Sequence, residues 1–474
     1  MHPKARTPPS PTSPRSISLA SLSFLTVLSL KLLSMLLYHA LGPVLNRSLP
    51  SHLAAEGPSL LGVDHVLRVP VPRPGKGGRD RGGDRDELGD DSLFMTLLVK
   101  KALPPAGEGG EWQGEGGGGS KGGVVREERG KGNLPPLLFL LHGFPDDPST
   151  FHAQVLPFAR AGFDVLLPVM PGYEPSTALL PSSSYSLPSL ATMLEDVIAW
   201  AQSPALARAL CGGKAEGGKG EEGQQGGGLE EGEIGEEECR NPLPRDVHLF
   251  GHDWGAVLAY ILAQKGSREK VRVTSVVTVA VPHEAARGFL THPRQFLNSW
   301  YMLFIQLPFL PEFWFRAGGR FWGLHQLWRG WSPGYTLPPS HLASLHATFS
   351  EPGVLMSSMQ YYRDNVPGML LEILKARLGW GGSGTEGEGE RKEASVVAAP
   401  TLALSGLNDG CIDPVLYDAA MGLPTDGMRV DHTLFPAGVR VMKLEGGGHF
   451  LHREKAEEVN DLAVAWFKKH SKMG

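Results

Sequence analysis

The sequence predicts an α/β architecture: a mostly parallel sheet with helices on both faces and an α-helical cap inserted between core strands. Three observations lead there. Short continuous apolar runs, such as LPPLLFLLHG (134–143) and VTSVVTVAVPH (273–283), have the length of strands buried on both faces. Segments with helical spacing of apolar residues alternate with these runs, as in consecutive strand–helix–strand units. One helix-like, aromatic-rich block between 286 and 380 breaks the alternation and holds six of the ten tryptophans. Arriving between two strands, it should fold over the strand ends.

Taken in order, residues 1–48 form a basic, Ser/Pro-rich start followed by an apolar run, with no acidic residue before Glu56. The stretch 19–38, LASLSFLTVLSLKLLSMLLY, has about the length of a membrane span, roughly 20 residues. Lys31 stands near its centre, and Lys4, Arg6 and Arg15 precede it. Two readings stay open: a single-pass signal-anchor, for example in the endoplasmic reticulum, or a cleaved transit peptide for a plastid or mitochondrion. The first part of the core spans 58–285. It contains strands in 92–102, 134–143, 163–173 and 247–250, and helices in 189–202 and 254–264. The second part, 395–474, holds strands in 399–406 and 439–449 and an amphipathic helix over 457–470. Three Gly/Glu-rich segments, 107–132, 212–238 and 381–393, cannot bury enough apolar surface to offset their ordering entropy and read as insertions in surface loops.

Composition narrows the function. A net charge of −5 over 474 residues gives no basic face for nucleic acid. The three cysteines have no ligand spacing, so neither a disulfide scaffold nor a metal site is expected, and no cofactor motif is present. The sequence is silent on oligomeric state.

The chemistry is concentrated after strand ends. In LFGHDWGAVLAY (249–260) a strand, a glycine turn and a helix follow one another. Such an elbow lifts the apex side chain above the sheet. Here the apex is Asp253, which could alternatively be a simple helix N-cap. The Trp254 N–H opens the helix and can hold an oxyanion. HGFP (142–145) follows a buried strand and offers the Phe144 N–H as a second donor. Asp409 lies just past the strand ending at Gly406, and His449 just past the last strand. Asp253, Asp409 and His449 thus appear in the order nucleophile, acid, base. His252 is expected to face away from the apex, and His452 to lie on the solvent side of a helix.

The elbow GHDWG and the HGFP loop resemble, residue for residue, those of soluble-type epoxide hydrolases of the α/β-hydrolase superfamily. The resemblance covers about 62 to the C-terminus without the insertions. It implies a hydrolase acting on ether bonds, converting an epoxide and water to a vicinal diol; the apolar, aromatic cap block suggests that the epoxide is lipophilic. It also implies two cap tyrosines: Tyr301 in YMLFIQLP, with Gln306 and Pro308, and Tyr362 in QYYRDN, with Tyr361 as the register alternative. Either could instead be amphipathic packing. His142, Pro145, Trp254 and Gln306 are implied as substrate-binding positions. Met302, Ala256 and DDPSTF (146–151) depart from the family pattern and bear on substrate shape. Two alternatives share the triad. One is a haloalkane dehalogenase, which would draw a second halide donor from Trp314, Trp322 or Trp328. The other is a non-catalytic binding protein on the same scaffold.

Overall fold

The structure, a computed structural model, describes residues 61–73, 93–103, 134–210, 245–264, 271–285, 292–316, 321–378, 395–420 and 433–471. The apolar stretch 19–38 and the three Gly/Glu-rich segments lie outside these residues. Among the described residues no helix is long and apolar enough to cross a membrane.

Eight strands form one sheet in the order β1-β2-β4-β3-β5-β6-β7-β8. They are His65–Val71, Leu93–Lys100, Leu137–Leu141, Asp164–Pro168, Val247–His252, Ser275–Val279, Thr401–Gly406 and Val439–Leu444. From β4 through β8 every pairing is parallel, while β1 and β2 are antiparallel to their neighbours. The strand period of two explains the unbroken apolar runs. In β3, Leu137, Phe139 and Leu141 enter one core, and Leu138 and Leu140 enter the other. Both faces are covered, which favours apolar side chains at every position.

On one face Phe158 of α1 (His152–Arg160) meets Phe467 of α13 (Ala456–His470). On the other lie α2 (Leu187–Gln202), α3 (Pro204–Leu210) and α4 (Trp254–Leu262), with Leu190, Val197 and Leu258 buried against the sheet. The strand β1 was not expected from the sequence. Pro70 lies within it, and Val66 and Arg68 alternate outward against buried Val69 and Val71. That mixture is tolerated because β1 is a sheet edge, where a missing N–H breaks no ladder.

Between β6 and β7 the chain leaves the sheet. It forms α5 (Pro293–Asn298), α6 (Trp300–Phe304), α7 (Leu310–Arg316), α8 (Trp322–Trp331), α9 (Pro339–Ser350) and α10 (Val354–Leu378). Two short helices, α11 (Val415–Ala420) and α12 (Leu451–Glu454), follow β7 and β8.

The elbow after β5 is held by glycines for a steric reason. A Cβ at Gly251 would overlap the backbone of Gly255, and one at Gly255 would overlap the Leu141 carbonyl of β3. Strand, turn and helix therefore approach at backbone distance, which only glycine permits.

Candidate active site

Asp253 adopts φ 52°, ψ −120°, a strained conformation for a residue with a side chain. Its carboxylate makes no cap hydrogen bond to α4, which removes the N-cap reading. Instead Oδ1 accepts the Phe144 N–H at 2.8 Å. A Cβ at Gly143 would overlap this carboxylate and the Trp254 backbone nitrogen, so the Phe144 and Trp254 N–H groups and the apex side chain lie close together.

Asp409 and His449 meet beside it. Asp409 Oδ1 accepts the N–H groups of Cys411 and Ile412 at 2.7 and 2.8 Å, which fixes the carboxylate. Its Oδ2 lies 3.0 Å from His449 Nδ1. His449 Nε2 stands 3.6 Å from Asp253 Oδ2, an ion-pair separation beyond hydrogen-bond length. Burial pulls the His449 pKa down, but the charge of Asp409, the hydrogen bond that Nδ1 makes to it and the nearby Asp253 carboxylate outweigh it and push it up to about 10. His449 is thus an imidazolium between two carboxylates at neutral pH. A folded pKa above the unfolded 6.5 gives stability that is complete below about pH 6.5 and lost as pH rises towards 10. The melting-temperature gap between the wild type and His449→Gln is therefore expected to narrow across that window; a constant gap would contradict the ion pair.

The cap contributes Tyr301 from α6 and Tyr362 from α10. Both are buried and both line a cavity of about 320 Å³ that opens onto Asp253. Their rings are 5.6 Å apart, near perpendicular. Tyr301 Oη lies 3.3 Å from Cys411 Sγ, and Tyr362 Oη has no hydrogen-bond partner. Burial holds both phenols well above their ordinary pKa, with Cys411 and Tyr362 adding for Tyr301 and Asp253 for Tyr362. They remain O–H donors. Of the two register alternatives, Tyr361 Oη donates to the Pro171 carbonyl at 2.7 Å and does not line the cavity, whereas Tyr362 does.

Of the implied substrate contacts, only Trp254 lines this cavity. His142 is buried beneath it, where Nε2 accepts the Met170 N–H at 3.1 Å. The Pro145 carbonyl accepts the Trp328 indole N–H at 3.1 Å, and Gln306 donates to the carbonyls of Met302 and Tyr362. These three brace the wall. Trp328, Trp314 and Trp322 do not line the cavity either. His452 is not on a solvent face: the first turn of α12 tucks under the elbow, where Nε2 lies 2.6 Å from Thr150 Oγ1. His252 does face away from the apex, with Nε2 3.0 Å from the His449 carbonyl. Burial holds both imidazoles well below the ordinary histidine pKa.

Trp331, at the end of α8, carries a role that no sequence motif signals. Its carbonyl accepts the N–H groups of both Gly410 and His449, at 3.0 and 3.1 Å. Its ring packs on His449 and Tyr301, with centroids 5.0 and 4.7 Å away. The alternation of loop and cap residues that creates this junction exists only in three dimensions.

The model of the alpha/beta hydrolase family matches residues 138–462. Human epoxide hydrolase 4 is 24% identical over 354 residues, covering 74% of this chain and 76% of its own. Mouse epoxide hydrolase 3 is 25% identical over 419 residues, covering 86% and 88%. A Vigna radiata epoxide hydrolase mutant superposes with a TM-score of 0.51 at 16% identity, over 85% of this chain and 99% of its own, a likeness of fold. With its sheet order, its elbow and a family match across both parts of the core, the chain belongs to the alpha/beta hydrolase family.

Proposed function

We propose that this chain is an epoxide hydrolase. The observation that carries the reading is the pair of buried phenols, Tyr301 and Tyr362, lining one cavity with the Asp253 carboxylate. A carboxylate can open a strained ether at carbon, but the departing oxygen needs a proton donor. Two phenols across from the nucleophile meet that need. The relatives named epoxide hydrolase 3 and 4 support the same activity.

The steps balance with the groups present. Asp253 Oδ1 is held by the Phe144 N–H, so Oδ2 is the oxygen left to attack. As Oδ2 bonds to ring carbon, the C–O bond breaks and the oxygen takes a proton from Tyr301 or Tyr362. The ester carries no charge, so one influence raising the His449 pKa disappears. His449 yields its proton, which restores the phenol, and becomes a neutral base. It then takes a proton from water as that water adds to the ester carbon. The N–H groups of Phe144 and Trp254 stabilise the oxyanion on Oδ1. Collapse expels the diol oxygen with the water's remaining proton, and Asp253 and the His449 imidazolium are regenerated. Serine at the apex would instead form an ether with no carbonyl for water to attack.

The cavity walls favour a lipophilic substrate: Val257, Ile261, Val366, Met369 and Ile412 face it. Against a dehalogenase, none of Trp314, Trp322 and Trp328 lines the cavity. Incubation with styrene oxide and, separately, 1-bromobutane tests the reading. Diol release from the epoxide without bromide release is expected. Bromide alone would favour the dehalogenase, and neither product would favour a binding protein.

Residues 19–38 further suggest a chain tethered to a membrane. A full-length fusion should then stay with membranes through a carbonate wash; its release would favour the cleaved transit peptide.

A further inference from the structure

Outside the cavity lining, three side chains from a loop, a strand end and a short helix lie together. Asp146 follows β3, His252 ends β5, and His452 lies in α12, and all three are fully buried. The group offers one ligand atom from each, all within 4.8 Å of one another. Asp146 Oδ2, His252 Nδ1 and His452 Nδ1 have no hydrogen-bond partner. Leaving a buried polar atom unsatisfied costs about 1–3 kcal/mol. Three such atoms on the three side chains of one buried cluster call for a shared partner.

The remaining atoms of these side chains are already engaged. His252 Nε2 lies 3.0 Å from the His449 carbonyl, an acceptor only, so Nε2 carries the proton and Nδ1 presents a lone pair. His452 Nε2 lies 2.6 Å from Thr150 Oγ1, and a hydroxyl that accepts there leaves Nδ1 with its lone pair as well. Asp146 Oδ1 lies 3.1 Å from His341 Nε2 and accepts the Asp147 N–H at 2.9 Å, which leaves Oδ2. Outer contacts of this kind orient imidazole and carboxylate ligands around a metal ion. The adjoining group Asp146, Asp147 and His341 differs. Asp147 is satisfied by the Ser149 N–H and by the hydroxyls of Ser344 and Thr348, and makes no such demand.

We propose that Asp146, His252 and His452 form a buried site for a divalent transition metal of the zinc class. Two imidazoles and one carboxylate are a donor set that suits this ion. Zinc bonds of roughly 2.0–2.2 Å require the three side chains to draw in on the ion. With no solvent exposure, the ion is taken up as the chain folds. It fastens together the loops that carry Phe144, Asp253 and His449 without touching the substrate. Through His252 it stiffens the backbone of His449.

The test measures metal on the full-length protein. Wild type and His452→Gln, whose amide can still meet Thr150, are produced in zinc-supplemented medium, desalted and analysed by plasma mass spectrometry. About one zinc per chain is expected in the wild type and less than about a tenth of that in the variant. Protein produced with cobalt should show the visible bands of tetrahedral cobalt(II), absent from the variant. Wild type without zinc, whose melting temperature does not change with metal in the medium, overturns the proposal and leaves an ordered water as the shared partner. Equal metal in both proteins overturns it too. If the variant does not fold, the wild-type metal content and cobalt spectrum decide alone. No readout depends on turnover, so this site and the epoxide chemistry stand or fall separately.

Discussion

His449→Gln is expected to convert the protein from a catalyst into a one-time acceptor of epoxide. After incubation with styrene oxide, the intact mass of the variant should rise by one substrate mass, and the peptide containing Asp253 should carry it. The first half of the reaction needs a carboxylate, a strained ring and a phenol, all of which remain. The second half needs a base to activate water, and His449 is the imidazole beside the ester, 3.6 Å from Asp253 Oδ2. Without the imidazole, the Asp253 carboxylate keeps the Phe144 N–H that orients it for attack. Steady-state diol formation should fall by roughly 10³-fold or more, as when a general base is removed from a comparable triad. No mass increase, with a substrate that the wild type turns over, would remove Asp253 from the nucleophile's role.

The adjacent tyrosines of α10 should separate chemistry from packing. Tyr362→Phe is expected to lower diol formation by about 10²-fold or more, in the range for losing a proton donor. Its folding stability should change little, because the hydroxyl has no hydrogen-bond partner to lose. Tyr361→Phe should do the reverse. It strips the Pro171 carbonyl of a buried donor, at a cost of about 1–3 kcal/mol, while turnover stays within a few-fold. Paired thermal melts and initial rates measure both effects. Two variants that lose activity in proportion to stability would show Tyr362 to be packing only.

The parts of this molecule that follow a local rule were legible in the sequence. The buried strands are apolar runs of strand length, and the elbow is a fixed glycine spacing that the backbone contacts at Gly251 and Gly255 require. Asp253, Asp409 and His449 were readable because each follows a different strand directly. What could not be read depends on partners distant in the chain. His142, Pro145 and Gln306 sit in motif positions, yet each spends its polar atoms on the wall behind the cavity. His452 looked like a helix-surface residue because nothing local reveals that Thr150, some three hundred positions earlier, lies against it. The cluster of Asp146, His252 and His452 has no ligand spacing for the same reason. The edge strand β1 was hidden by a proline that only an outermost strand tolerates.

The Trp331 carbonyl has a mechanical consequence. It holds the Gly410 and His449 loops at once, so α8 behaves as a keystone rather than a hinged door. Any displacement of α8 would disturb both loops together, because one carbonyl serves the backbone of each.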